Sequence, residues 1–471
     1  MRLPDFKEAR TRDIRDYKTV EFKVEDSIKD KYKGMTFHVK TYGCQMNEHD
    51  SENIKALLKT IGFTEEENYE KADLVLLNTC SIRENAHNKA FGMLGRLKHL
   101  KEERPELLIG LCGCMAQEVS VVEEILKDYK FVNFVFGTHN MHELPNIIDK
   151  AIVENKQQIE VLSRESDLVE GLPVVRANNY KAYVNIIYGC NKFCTYCIVP
   201  YTRGRERSRK KEDILKEVEE LVRDGYKEVT LLGQNVNAYG KDLYDDYNLA
   251  NLLEDVAKTN IPRIRFTTSH PWDFTDEMIE VIAKYPNIMS HVHLPVQSGS
   301  SKVLKLMGRR YTRESYLELF DKMKKTIPGV AISTDIIVGF PGEDEEDFKE
   351  TLSLVEYCKY DNAFTFIFST RKGTPAEKLE DNTPLKEKED RLQRLNEVVN
   401  KYFLENNKKL EGEVLPVLVE GISSKKGMYY GYSETNKLIN FSSNKDLEIG
   451  SIVPVKITAS KTWSLDGELD G

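Results

Sequence analysis

The sequence predicts an α/β protein: an N-terminal parallel α/β domain, a partial (β/α)6 barrel and a small C-terminal antiparallel β-barrel. Two repeating patterns and one change of pattern carry that expectation. Short apolar runs alternate with helical segments from Met35 to about Glu154, and a longer series of the same kind starts at Tyr180. Near Glu411 the helical period stops, and short strands parted by Gly, Asn and Ser turns take over.

Residues 1–34 alternate Lys and Arg with Asp and Glu. They lack the apolar centre of a secretory signal and hold too many acids for a transit peptide, so they read as a flexible extension of a cytoplasmic protein. The first domain covers 35–154. Its strand Thr36–Thr41 leads to Cys44, Ala72–Leu77 to Cys80 and Leu107–Leu111 to Cys114, so each thiol follows the carboxyl end of a strand. Along that edge an open α/β sheet binds ligands, and a βα unit consumes about the ~30 residues that part these thiols. All three stand in turn-like contexts, Gly43-Cys44-Gln45, Asn78-Thr79-Cys80 and Gly113-Cys114-Met115. They suit a shared cluster, with scattered core cysteines as the alternative. Cys112 belongs to a strand interior.

A charged linker, 155–175, precedes a second domain over 176–406. Strands near Ala182–Ile187, Glu228–Leu232, Ile264–Thr268, His291–Leu294, Ala331–Val338 and Ala363–Phe368 alternate with helices such as Lys210–Asp224 and Glu345–Cys358. The loops that follow these strands, Gly233-Gln234-Asn235, Ser269-His270-Pro271, Gln297-Ser298-Gly299-Ser300 and Gly339-Phe340-Pro341-Gly342-Glu343, form the rim where barrels place their active sites. His270 and Asp335 are candidate polar contacts there. After a helical run near Lys386–Asn407, the third domain spans 409–471 with strands Val414–Val419, Met428–Tyr432, Lys437–Phe441 and Ile452–Ile457. In it Tyr429, Tyr430, Tyr432, Phe441 and Trp463 interleave with Lys425, Lys426, Lys437, Lys456 and Lys461, a mixture suited either to bases and phosphates or to core packing.

The second domain opens on Cys190-Asn-Lys-Phe-Cys194-Thr-Tyr-Cys197. Three thiols at that spacing let one loop hold three irons of a cubane cluster and leave the fourth open to a small molecule. Zinc would want a fourth ligand nearby, and the first histidine downstream is His270. Phe193 and Tyr196 lie between the ligands and would shield a cluster from water. Eight cysteines in 471 residues are too sparse for a disulfide scaffold and point to metal or catalysis. The net charge of -9 counts against phosphate binding by the surface as a whole. Locally, however, Tyr201–Lys211 carries Arg203, Arg205, Arg207, Arg209, Lys210 and Lys211 against Glu206, which fits either phosphate contact or a solvated turn. No apolar run approaches the ~18 residues of a membrane span. No phosphate loop, nucleophile elbow or dinucleotide fingerprint occurs.

These segments resemble a known family over nearly all of the chain beyond Lys33. Tyr188-Gly189-Cys190 through Arg209, Leu232-Gly233-Gln234-Asn235-Val236 and His293–Ser300 look like the core of radical S-adenosylmethionine enzymes. Thr41–Asn47, Asn78–Ala86 and Gly113–Gln117 are similar to the three ligand motifs of the methylthiotransferases within that superfamily. The final barrel resembles a TRAM RNA-binding domain. The resemblance implies two 4Fe–4S clusters, one on Cys190, Cys194 and Cys197 that splits S-adenosylmethionine to a radical, the other an auxiliary cluster on Cys44, Cys80 and Cys114 that carries sulfur. A second S-adenosylmethionine would supply the methyl group. Gln234, Asn235, His270, Gln297 and Asp335 would contact S-adenosylmethionine, and Arg203, Arg205, Arg207, Arg209 and Lys437 the RNA. Many relatives carry Arg where this chain reads Gly431-Tyr432-Ser433, which shifts the weight of RNA contact onto the Arg203–Lys211 strip.

The implied partners are a tRNA substrate and a reductant protein of flavodoxin or ferredoxin type, with the sulfur donor left open. Carbon 2 of an adenine is not acidic enough for a side-chain base to open, whereas a radical opens it. Within the family the acceptor is dimethylallyladenosine beside the anticodon, threonylcarbamoyladenosine in tRNA, or an aspartate of a ribosomal protein. The Asn78–Ala86 motif and Ser269-His270-Pro271-Trp272 favour the first by resemblance. A non-catalytic iron–sulfur RNA-binding redox sensor is the rival from another class. It accounts for six thiols but not for two sets of three.

Overall fold

The strand Leu74–Thr79 is buried at all six positions, which a parallel sheet permits only when helices cover both faces. In this computed structural model, residue 9 and residues 17–81, 84–162, 167–423 and 427–471 are described. The chain divides into two units, residues 1–177 with 188–209 and 371–377, and residues 178–187 with 210–370 and 378–471. Residues 188–209, which the sequence puts in the second domain, thus group with the first unit.

Leu74–Thr79 lies inside a six-stranded parallel sheet of the first unit. The order is Thr64–Glu65, Thr36–Thr41, Leu74–Thr79, Leu108–Gly113, Phe134–Phe136 and Gln158–Glu160. Leu74 and Leu76 pack with Phe37, Ile54, Leu57 and Ile148 on one face, under helices Gln45–Thr60 and Leu144–Glu154. Val75 and Leu77 pack with Leu94, Leu97, Val122 and Ile125 on the other, under Glu84–Glu103 and Val119–Asp128. Cys112 is indeed inside its strand and in the first of these cores. The last strand falls in the stretch read as a linker; its three residues carry a single apolar side chain, too few for a period to show.

The flexible extension expected over 1–34 needs correction where it is described. Thr19–Glu21 pairs in parallel with Leu168–Glu170, and Ile28 and Tyr32 are buried in the sheet's core. Tyr32 also donates to Asp149 at 2.6 Å, so apolar anchors at wide spacing tie down a segment whose charge hides them. The remaining residues of that stretch, apart from residue 9, lie outside the described ones, as do Ile82, Arg83, Lys425 and Lys426.

The second unit holds six parallel strands in chain order: Lys181–Asn185, Glu228–Leu232, Arg263–Phe266, His291–His293, Ala331–Val338 and Asn362–Ile367. They form two three-stranded sheets that meet where Ile264 bridges Ile288. Alternate residues divide the faces. Ile332, Ile336, Val338 and Ala363 pack outward with Leu354, Val355 and Phe403, while Asp335, Phe364 and Phe366 occupy the alternate positions, toward the inside of the partial barrel. Cys358 ends helix Glu345–Cys358 in the outer core, and burial pushes its thiol up to about 12.

Five strands, Val414–Ile422, Met428–Ser433, Leu438–Ser442, Leu465–Leu469 and Ile452–Ser460, close into a small barrel in that order. All pairs are antiparallel except Leu438–Ser442 with Leu465–Leu469, which is parallel. The barrel docks on the amino-terminal ends of the partial-barrel strands. Arg263 donates to the carbonyls of Pro416 at 2.7 Å and Tyr432 at 2.9 Å, and Arg265 donates to Ser433 O at 2.7 Å and to Glu228 at 2.9 Å. Lys181 pairs with Glu420 at 2.7 Å beside them. Arg263 is buried and Arg265 largely so, which makes the joint a set of charge-assisted bonds mostly shielded from water. Arg263→Ala leaves two buried carbonyls without donors and is expected to cost roughly 3 kcal/mol. Calorimetry should show an earlier transition; an unchanged melting curve would mean the joint carries no stability.

Candidate functional site

Thr36–Thr41, Leu74–Thr79 and Leu108–Gly113 are nearest neighbours in the sheet, with Thr41 beside Asn78 and Thr79 beside Gly113. Their carboxyl ends therefore deliver Cys44, Cys80 and Cys114 to one edge. Cys44 is the N-cap of helix Gln45–Thr60, where the helix end favours a thiolate. Its thiol is lowered to about 6, first by a hydrogen bond from Cys80, then by Arg203 and the backbone N–H groups of Asn47 and Met46, against the opposing effect of burial. Burial pushes the Cys114 thiol up, while Arg203 opposes that shift and Cys44 adds to it.

The edge is held by buried amides. Asn47 donates to Asn78 Oδ1 at 3.1 Å and Thr79 O at 3.0 Å, Asn78 returns a bond to Asn47 O at 2.8 Å, and Thr79 Oγ1 donates to Cys112 O at 2.6 Å. Two glycines give the thiols room. A Cβ on Gly43 would stand 2.9 Å from Cys80 Cβ, and one on Gly113, at φ 91°, would stand 2.3 Å from Thr79 O. Among the described residues no three Cys, His, Asp or Glu close on a single metal ion. A cubane asks for something else, since each thiolate binds a different iron. Three thiols brought to one edge in a glycine-lined cradle fit that demand.

The second trio stands on a loop within the same unit. Cys190 and Cys194 are buried and Cys197 is partly exposed. Cys190 N donates to Gly204 O at 3.1 Å, Cys197 N to Cys194 O at 2.9 Å, and Asn191 N to Glu206 at 3.0 Å. Phe193 takes the left-handed φ of 48° that lets the loop turn back, with Tyr201 edge-on at 5.6 Å and Arg205 over its ring at 4.6 Å. Burial pushes the Cys190 thiol far up; Glu206, Cys197 and Cys194 act in the same direction, which puts the three sulfurs within one another's field. This trio too fits a cluster that supplies the missing positive charge.

Three arginines of the basic strip, Arg203, Arg207 and Arg209, are buried. Arg203 is buried against Asp50 at 2.6 Å and Cys114 at 3.0 Å, and Arg209 is buried in a two-point pair with Glu170, both bonds at 2.6 Å. Arg207 is buried over Tyr188 and donates to Arg203 O at 3.4 Å, and Arg205 packs on Phe193. The three buried arginines have carboxylate, sulfur and aromatic partners inside the unit, which takes them out of a solvated turn, while Arg205 and Lys211 are partly exposed and Lys210 is exposed. Lys437 is largely buried and pairs with Asp361 at 3.3 Å, and its loss of water contact lowers its pKa. Tyr429 and Phe441 belong to the small barrel's core, while Lys456 and Trp463 are exposed.

The candidate cofactor residues form two linked groups in the second unit. Asn235 donates to Asp273 at 2.7 Å, and His270 N donates to Asn237 at 2.9 Å. Gln297 takes φ 72° and exchanges backbone bonds across the strand beside it, from its N to Asp335 O at 2.8 Å and from Ile337 N to its O at 2.9 Å. Tyr311 joins the groups, with its ring 5.9 Å from His270 and its hydroxyl donating to Val296 O at 2.9 Å. Gln234 is partly exposed at the same rim.

Sequence reasoning placed His293 within a family motif without giving it a role, and the structure holds it between Ser333 Oγ at 2.9 Å and Asp335 at 3.4 Å; it missed the exposed rings of Phe364 and Phe366. The alternation in Asn-Ala-Phe-Thr-Phe-Ile held the signal for the two rings, read there only as a strand. In the metal-free protein, alkylation of Cys44 is expected to rise through a midpoint near pH 6, since below it the lowered pKa no longer keeps the thiolate, while Cys190 stays inert. Mass-spectrometric mapping of adducts across that range checks it, and a Cys44 midpoint at the ordinary thiol value would remove the assigned influence of Cys80 and Arg203.

The chain matches the Radical SAM superfamily over residues 184–355, the Uncharacterized protein family UPF0004 over 36–137 and the TRAM domain over 408–469. It is 56% identical to the tRNA-2-methylthio-N(6)-dimethylallyladenosine synthase of Staphylococcus haemolyticus (strain JCSC1435), covering 98% of this chain and 91% of that one. The enzyme of the same name from Bacillus cytotoxicus is 55% identical, covering 99% of this chain and 92% of its own. Among solved structures, the radical S-adenosylmethionine methyltransferase TsrM from Kitasatospora setae shares the fold over 73% of this chain and 74% of its own, with a TM-score of 0.53 at 14% identity. With identity at this level along nearly the whole length, the chain belongs to the tRNA-2-methylthio-N6-dimethylallyladenosine synthase family of radical S-adenosylmethionine enzymes.

Proposed function

We propose that this enzyme adds a methylthio group to carbon 2 of N6-dimethylallyladenosine next to the anticodon of tRNA. The observation that carries the reading is the delivery of Cys44, Cys80 and Cys114 to one sheet edge, in the unit that also holds Cys190, Cys194 and Cys197. A single-cluster enzyme has no use for the second trio. When bound on these two trios, the clusters supply the electron that cleaves S-adenosylmethionine and the sulfur that is transferred.

The chain's own residues bind and orient. Gln234, Asn235, His270, Gln297 and Asp335 line the rim as donors and acceptors for S-adenosylmethionine, with Asn235 and Asp335 held by Asp273 and His293. Phe364 and Phe366 offer an apolar wall on the inner face of the same strands, suited to a planar base and its hydrocarbon substituent. Lys456 and Trp463 give the small barrel a charge and a ring for the RNA backbone and bases. The electron comes from a flavodoxin- or ferredoxin-type protein in the cytoplasm.

Cys194→Ala is expected to abolish reductive cleavage, whereas Cys80→Ala keeps some cleavage and forms no methylthio product; each variant holds about four irons instead of about eight. Cleavage assays, iron quantitation and nucleoside analysis of tRNA from a deletion strain check this. Methylthio-dimethylallyladenosine surviving the deletion would overturn the reading. Lys456→Ala is expected to weaken tRNA binding and reduce the slope of log affinity against log salt by about 0.9, and an unchanged slope would discard the phosphate contact.

A further inference from the structure

Arg203 lies just beyond Cys197 in the chain, yet its side chain serves the other trio. The turn Val199–Thr202 sets its position: Arg203 N donates to Val199 O at 2.8 Å, and Thr138 Oγ1 clamps Thr202 O at 2.6 Å. From there the guanidinium divides its edges. Nε donates to Cys114 Sγ at 3.0 Å and Nη2 to Asp50 Oδ2 at 2.6 Å, with Arg203 at 7% and Asp50 at 9% side-chain exposure. Asp50 comes from helix Gln45–Thr60, which Cys44 caps.

Packing alone does not account for this. A buried guanidinium needs compensation, and a neutral thiol is a weak acceptor. The arrangement fits a sulfur rich in electron density, as a metal-ligated thiolate is. Hydrogen bonds to ligand sulfurs and the local charge set the potential of an iron–sulfur cluster, and outer partners of ligands govern how firmly metal is held.

We propose that Arg203 is a positioning residue for the cluster on Cys44, Cys80 and Cys114, its Nε–H bond to the Cys114 sulfur raising that cluster's reduction potential and retarding loss of its iron. Asp50 fixes the guanidinium and moderates its charge. This rests on the two-cluster reading above. Because the loop of Cys190, Cys194 and Cys197 carries the arm, the state of that loop reaches the second cluster through one side chain.

The test uses the full chain with Cys190, Cys194 and Cys197 changed to Ala, reconstituted anaerobically so that only the auxiliary cluster remains. Redox titration followed by electron paramagnetic resonance gives its midpoint, and iron release to a chelator gives its retention. Arg203→Met with Asp50→Leu removes the arm without stranding a charge, and is expected to lower the midpoint and speed iron release about ten- to a hundredfold. Asp50→Asn alone is expected to raise the midpoint, and Arg203→Lys to recover part of the loss. A purely structural role would not move the midpoint in opposite directions. Loaded variants with the parent's midpoint and release rate overturn the inference; a parent that takes up no iron overturns the two-cluster reading and the inference with it.

Discussion

Parallel strand order is the constraint on which the rest depends. Because Thr36–Thr41, Leu74–Thr79 and Leu108–Gly113 are adjacent and run the same way, residues far apart in the chain meet at one edge with no loop having to fold back. The sheet can be parallel only because both faces are apolar and covered, so the thiols' meeting traces to the leucines and valines of Leu74–Thr79. Helix placement follows from the same arrangement, and it puts a helix amino terminus directly behind Cys44.

Electrostatics then separates the three thiols. Cys44 is prepared as a thiolate by its cap position and its neighbours, Cys80 donates to it, and Cys114 stays high by burial with Arg203 opposing. A site so graded would receive a metal without three bare negative charges having to coexist in a buried cradle. On the Cys190 loop the balance is different, since Glu206 adds to burial and the backbone N–H of Lys192 opposes them.

Much of this could be read from the sequence where chemistry is local. The Cys-x3-Cys-x2-Cys spacing, the strands that lead to Cys44, Cys80 and Cys114, and the switch to a small barrel after Glu411 all announce themselves over a few residues. What stayed hidden is pairing over distance. Nothing in the run from Arg203 to Arg209 reveals that Asp50 and Glu170 neutralise its first and last arginines, so a basic run looks like a surface until its partners are seen. Phe364 and Phe366 look like any strand aromatics, and only the packing of Ala363 against the outer helices tells which way they face.

The joint between the small barrel and the partial barrel has a consequence for geometry. Arg263 and Arg265 grip backbone carbonyls, and Lys437 beside Asp361 adds a third fixed point, so the small barrel is not a tethered module swinging on a linker. It sits at the strands' amino-terminal ends, while the polar rim lies at their carboxyl ends. A strand's length of rigid protein therefore separates the two like a gauge block. Any one molecule that touches both ends at once must span at least that length.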